Sequence, residues 1–151
     1  MRAKSGFTLV EILIVVVILG ILAAIVIPQF TDASTEAKTS SLCSDLQTFR
    51  SQIELYKIQH TDALPSTASV GLVSAMTSQT DADGDAYDSG TSTTGPFGPY
   101  LQKIPKNAFN GSTTIVTGTA DPNTAVGDNG WYFNTSTGAF NAIDSSEHAQ
   151  L

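Results

Sequence analysis

Apolar positions follow three different rhythms along this chain. From Phe7 to Ile27 they form an almost unbroken run: Phe7-Thr8-Leu9-Val10-Glu11, then Ile12 to Ile27 with no charged or polar side chain. As a helix rising about 1.5 Å per residue, such a run is about 31 Å long, close to the hydrocarbon thickness of a bilayer. Farther on, Leu42, Leu46, Phe49, Ile53 and Tyr56 recur at helical spacing. They predict one apolar stripe on a helix from about Ser34 to His60. Glu36, Lys38, Ser44, Gln47, Ser51 and Glu54 lie off that stripe. A third rhythm is short and strand-like. Thr113 to Thr117 is β-branched, and Trp131-Tyr132-Phe133-Asn134 and Ala139 to Ile143 flank the hairpin loop Thr135-Ser136-Thr137-Gly138. Trp131 and Phe133 fall on one face of their strand, which gives that sheet an apolar side to set against the helix stripe. Between the two regions, Val70, Leu72, Val73 and Met76 predict a short helix from about Thr67 to Gln79, with Ser66 as its N-cap.

One residue breaks the first rhythm. Glu11 sits near the start of a run that could otherwise cross a membrane. A charge at mid-membrane costs about 2.5–3.5 kcal/mol on insertion scales, so an intramembrane acid implies a function and a positive partner. Arg2 and Lys4 precede the run and predict a cytoplasmic N-terminus with the remainder exported. Three readings compete. A cleaved signal peptide has an apolar stretch of about 7–15 residues and a small-residue cleavage site; this run is longer, and Ala23-Ala24 is followed by Ile25-Val26-Ile27-Pro28. A permanent anchor explains the length but leaves Glu11 unexplained. A cut between Gly6 and Phe7 explains both, because it creates an α-amine on Phe7 four residues before Glu11.

Lys4-Ser5-Gly6-Phe7-Thr8-Leu9-Val10-Glu11 closely resembles the class III leader of type IV pilins and type II secretion pseudopilins. The resemblance implies that a prepilin peptidase cuts between Gly6 and Phe7 and N-methylates Phe7. It also implies that Glu11 and Pro28 occupy assembly positions of the family. A methylated amine keeps its charge, so Phe7 of one subunit and Glu11 of a neighbour could neutralise each other inside an apolar bundle and set its register. Pro28 predicts a kink. In the family, the stretch here running from Gly20 to Pro28 can lose helical structure in a filament; an ordinary kinked helix is the alternative.

Composition narrows the functional classes. The chain has 151 residues, a net charge of −7 and a sequence pI of about 4.4. Lys and Arg total 7, with no basic patch, so no direct nucleic-acid partner is expected. Cys43 is the single cysteine and can form no internal disulfide; it reads either as a packed apolar residue or as a thiol that reacts between molecules. His60 and His148 stand beside no nucleophile motif, and no enzymatic activity is expected. Asn110-Gly111-Ser112 and Asn134-Thr135-Ser136 match glycosylation sequons and read as turns.

Two acidic regions are candidate calcium sites. Asp81, Asp83, Asp85 and Asp88 surround Gly84, but the spacing departs from an EF-hand and lacks its closing Glu, so a solvated loop competes with a metal site. Asp121, Asp128 and Asp144 flank the strands without recognisable ligand spacing; the family resemblance implies calcium in this region. Gly95 to Gly111 resembles the connecting segment of major pseudopilins, with Ala108 where a Pro is common and Phe109 left as an anchor.

The expected fold is α+β and pilin-like: a long N-terminal helix packed on a small antiparallel sheet of about three strands. The expected divisions are a leader (1–6), an apolar helix half (7–30), an amphipathic half (31–60), a short helix with an acidic loop (61–99) and a β region (100–151). The resemblance implies a filament subunit, with other copies, prepilin peptidase, an inner-membrane assembly platform and minor pilins or pseudopilins as partners. It implies an inner-membrane location before assembly and a periplasmic or surface filament afterwards. The absence of a C-terminal Cys pair and the Pro-Lys-Asn-Ala-Phe segment favour the major pseudopilin of a type II secretion system over the main subunit of a surface type IV pilus. A membrane-anchored binding module that never polymerises is a third reading.

Overall fold

The computed structural model describes residues 6–151; Arg2, Lys4 and Ser5 of the expected leader lie outside the described residues. Helix α1 runs from Leu9 to Gln59. Residues 6–38 belong to one compact unit and Thr39–Leu151 to a second.

In the first unit the helix passes Gly20 and Pro28 without interruption. Pro28 carries no N–H, so the Ala24 carbonyl loses its normal helical donor. Just beyond, the Thr31 hydroxyl donates to the Ile27 carbonyl at 3.2 Å and the Thr35 hydroxyl to the Thr31 carbonyl at 3.0 Å. Hydroxyls bonded back in this way follow the backbone without ending the helix.

The second unit is built on the stripe read from the sequence. Leu42, Leu46, Phe49, Ile53 and Tyr56 are all buried. They meet a three-stranded sheet, β1 (Ile115–Gly118), β2 (Trp131–Asn134) and β3 (Phe140–Ala142), in the order β1-β2-β3. Phe49 stacks on Phe140 with ring centroids 3.8 Å apart. Beside it, Arg50 donates to the Phe140 carbonyl from Nε at 2.9 Å and from Nη2 at 2.8 Å. The helix thus grips β3 by an aromatic face and a guanidinium fork.

The sheet is mixed. β2 and β3 are antiparallel, with Trp131 opposite Ala142 and Phe133 opposite Phe140. The expected antiparallel partner β1 instead runs parallel to β2, Ile115 opposite Trp131. Antiparallel neighbours can be joined by a tight turn, whereas a parallel pair needs a crossover of about a dozen residues. Here the crossover is residues 119–130, which include a 3₁₀ turn at Pro122–Ala125. This central β2 is covered on both sides. Trp131 and Phe133 join the helix-side core, while Tyr132 packs in a second cluster with Ile143 and Ala149. The tight approach at the start of β2 requires glycine, because a Cβ on Gly130 would overlap the Ser112 carbonyl.

The second helix, α2, is shorter than its pattern predicts, Leu72–Thr77. Ser66 does not cap it; its hydroxyl is buried without a hydrogen-bond partner. Residues 65–70 form turns instead, and the chain enters α2 through Gly71 at φ 79, a value helical residues do not adopt.

The end of α1 anchors the loops that follow. Its last turn closes with the Asp62 N–H on the Lys57 carbonyl at 2.8 Å, and Thr61 and Asp62 take the left-handed conformation usual past a helix end. His60 is buried, stacks on Tyr56 at 3.8 Å, and places Nδ1 2.9 Å from the Tyr56 carbonyl and Nε2 2.9 Å from the Thr80 hydroxyl. Thr80 in turn exchanges backbone bonds with Phe97 at 3.0 and 2.9 Å, so one imidazole holds both ends of the acidic loop. Tyr100 donates its hydroxyl to Gln59 at 2.5 Å.

Burial pushes the Tyr100 phenol up to about 12. Tyr56 is also raised, by burial first and by the Asp81 carboxylate second. A phenol with a raised folded pKa contributes stability that is fully present below its unfolded value of about 10 and is lost as pH rises toward about 12. The melting temperature of the full chain in detergent should therefore fall across that window, and Tyr100→Phe should flatten the fall. An unchanged slope in the variant would contradict this account.

Candidate assembly and processing site

The leader boundary and the head of α1 form the first candidate site. Gly6 and Phe7 precede the first helical turn and are exposed. A peptidase acting between them meets no helix to unwind. Thr8 is positioned as the helix N-cap and Glu11 as the third helical residue. The Glu11 N–H donates to the Thr8 hydroxyl oxygen at 3.2 Å. In return, Glu11 Oε2 accepts from the Thr8 N–H at 3.3 Å and lies 3.4 Å from its hydroxyl. This is a reciprocal capping box, two backbone donors at the helix start each satisfied by a side chain. A carboxylate in the first turn also faces the positive end of the helix dipole.

Glu11 therefore has a local partner within its own chain, which sequence reasoning about its charge overlooked. The signal was present as Thr8-Leu9-Val10-Glu11, a capping-box spacing ahead of an apolar run. Beyond the box, every large apolar residue from Leu9 to Ile27 is exposed, as are Phe7 and Phe30, at 80% and 73%. Residues 9–30 thus present one continuous apolar surface. It is long and apolar enough to cross a membrane, and a contiguous exposed apolar face of this size marks a membrane or protein contact. Pro28 lies inside the helix on the same segment.

The acidic residues are differently employed. Asp81 organises its own loop: Oδ1 accepts from the backbone of Asp83 at 3.2 Å and of Asp85 at 3.0 Å, and Oδ2 accepts from the Ser92 hydroxyl at 3.2 Å. Asp85 accepts from Ser69, and Asp88 from the Gly90 N–H at 2.9 Å. Asp83 is exposed. Near the strands, Asp121 caps the 3₁₀ turn by accepting from the Asn123 backbone at 2.8 Å, and this bond lowers its pKa. Asp128 contributes its carbonyl to Asn110, whereas Asp144 is bound to Asn107 and His148. Among the described residues no three acidic, histidine or cysteine side chains gather into a metal cluster. The two acidic regions hold their loops through these hydrogen bonds.

Two residues without a sequence signal prove central to the β region. Asn107 is buried and uses all its groups. Its Nδ2 donates to the Gly130 carbonyl at 3.0 Å and to Asp144 Oδ1 at 2.6 Å, while its Oδ1 accepts from the Phe109 N–H at 2.9 Å. His148 completes the network, with Nδ1 2.6 Å from Asp144 Oδ2 and its ring against Phe109. Phe109 thus anchors the connecting segment as expected, with Asn107 beside it as the polar hub. Cys43 is exposed on α1 and forms no disulfide. Removing the hub leaves buried polar groups unpaired, so Asn107→Ala should cost about 1–3 kcal/mol, read as a lower urea midpoint for the full chain in detergent. A midpoint equal to that of the unmodified chain would show that the network is not structural.

The prokaryotic N-terminal methylation motif matches residues 1–27. Type II secretion system core protein G of Pseudomonas aeruginosa is 46% identical over 66 residues, covering 44% of this chain and 46% of that protein. The chain thus matches less than half the length of that relative. Core protein G of Klebsiella pneumoniae is 31% identical over 109 residues, covering 72% of this chain and 71% of its own. A fimbrial protein of Pseudomonas aeruginosa is 43% identical over 54 residues, 36% of this chain and 35% of its own. No solved structure gives a significant match. The extent of the Klebsiella match, together with the leader motif, decides the family: the chain belongs to that of type II secretion system core protein G.

Proposed function

We propose that the chain is the major structural subunit of a type II secretion pseudopilus. The observation that carries the reading is the uncovered apolar face of α1 from Leu9 to Phe30, headed by a single acid. Neighbouring copies bury that face against one another once the leader is removed. Prepilin peptidase cuts between Gly6 and Phe7 and methylates Phe7, an assembly platform in the inner membrane draws the subunit out, and minor pseudopilins join the same filament. The N-terminus begins on the cytoplasmic side and the second unit lies in the periplasm. Loss of Arg2 and Lys4 takes the formal charge from −7 to −9. The contact between subunits is heterologous, one patch against a different patch, which propagates instead of closing.

At the heart of the proposal is a change of partner for Glu11. In a single chain its carboxylate closes the capping box with Thr8; in the filament it faces the methylated amine of a neighbouring Phe7. The surface-pilus alternative draws on the fimbrial match, which covers 36% of the chain, against 72% for the Klebsiella core protein. Electron microscopy of sheared cell surfaces and an assay of secreted enzymes in a deletion strain separate the two. Lost secretion without long surface fibres is expected, whereas long fibres with normal secretion would favour the pilus.

The capping box dictates how Glu11 should be tested. Glu and Gln both serve at the third position of such a box. Glu11→Gln therefore keeps the helix start and removes only the charge, whereas Glu11→Ala removes both. Both variants should insert into the membrane and fail to yield filaments. If Glu11→Gln assembled normally while Glu11→Ala did not, Glu11 would act through the cap alone.

A further inference from the structure

The second unit carries a groove of about 630 Å³ lined by Asp45, Lys103, Ile104, Pro105, Lys106 and Thr113. It is unusual for its charge. Elsewhere in this unit the cations are engaged: Arg50 donates twice to the Phe140 carbonyl, and Lys57 pairs with Glu54 and Asp62 at 3.2 and 3.7 Å. Lys103 and Lys106 are exposed, and among the described residues no ion pair reaches them. Asp45 on the groove wall offsets one of the two, and burial pushes its carboxyl pKa up. The groove is therefore net cationic on a subunit that is strongly anionic, and subunits of like charge repel unless opposite charges meet where they touch.

The same unit carries the complementary piece. The loop holding Asp81, Asp83, Asp85 and Asp88 is fixed from within by the Asp81 hydrogen bonds and at its two ends by Thr80 and Phe97. Asp83 projects from it as an exposed carboxylate on which no hydrogen bond or ion pair converges among the described residues. A loop already ordered loses little freedom on docking. Among the described residues of one chain no ion pair joins the loop to the groove.

Resting on the filament reading above, we propose that the groove at Lys103 and Lys106 receives the acidic loop of an adjacent copy, with Asp83 between the two ammonium groups and Ile104 and Pro105 beneath. Groove and loop are different patches of one chain, so the contact repeats from copy to copy. It adds an electrostatic register between the exported units to the one set at Glu11.

The test is disulfide trapping in the full chain, in cells, with Cys43→Ser as the parent. Asp83→Cys combined with Lys106→Cys should give a ladder of oxidised multimers, and the control Asp128→Cys combined with Lys106→Cys should not. Charge reversal reads the same contact: Lys103→Glu with Lys106→Glu should deplete sheared filaments, and adding Asp83→Lys with Asp88→Lys should restore them. Filaments seen by microscopy without an Asp83–Lys106 ladder would overturn the docking proposal and leave the filament reading standing. A ladder through Glu36→Cys with Lys106→Cys in its place would assign the groove to a neighbouring helix and overturn it equally. No filaments from the unmodified chain under conditions where it supports secretion would overturn both readings.

Discussion

An acid at the head of an uncovered apolar helix is the constraint around which this molecule is arranged. Glu11 cannot sit in hydrocarbon or in an apolar bundle without compensation. In the single chain the compensation is local: the Thr8 hydroxyl and backbone stand within 3.4 Å of its carboxylate. The filament proposed above offers another, the Phe7 amine that leader removal would expose. In the proposed filament the same side chain has a second matched environment besides the capping box. On that proposal the leader postpones it, because no free amine exists at Phe7 until the peptide bond to Gly6 is cut.

The remainder of the chain packs on the C-terminal half of this helix. The stripe from Leu42 to Tyr56 is covered by Trp131, Phe133 and Phe140 from the sheet, and Arg50 ties the helix to the Phe140 carbonyl. Each half of α1 therefore follows its own rule. One half buries its apolar residues within the chain. The other leaves its large apolar residues from Leu9 to Phe30 exposed. Helices with an apolar surface all round belong inside a membrane or a bundle, whereas a one-sided stripe belongs against a globular layer.

What was legible in the sequence divides along the same physical line. Periodicity reports burial, so the stripe, the strand at Trp131 and the hairpin loop closed by Gly138 were all readable. Strand direction is set by what lies between strands. The parallel pairing of Ile115 with Trp131 depends on a crossover whose composition, Asp-Pro-Asn-Thr among Gly and Ala, resembles any turn-rich loop. Short-range polar signals were readable only where they match a spacing rule. Thr8-Leu9-Val10-Glu11 obeys such a rule; Asn107 does not, because its partners Gly130 and Asp144 lie far along the chain. His60 was visible as the last residue of a helical pattern, but its bond to Thr80 and its stacking on Tyr56 arise only from the fold.

The pairing of Glu11 across subunits is the central claim, and an electron cryomicroscopy map of sheared filaments tests it most directly. The account predicts the Glu11 carboxylate within about 4 Å of the Phe7 amine of an adjacent subunit, the distance of an ion pair. A map in which Glu11 remains closed on its own Thr8, with the neighbouring Phe7 amine matched by another group, would contradict it.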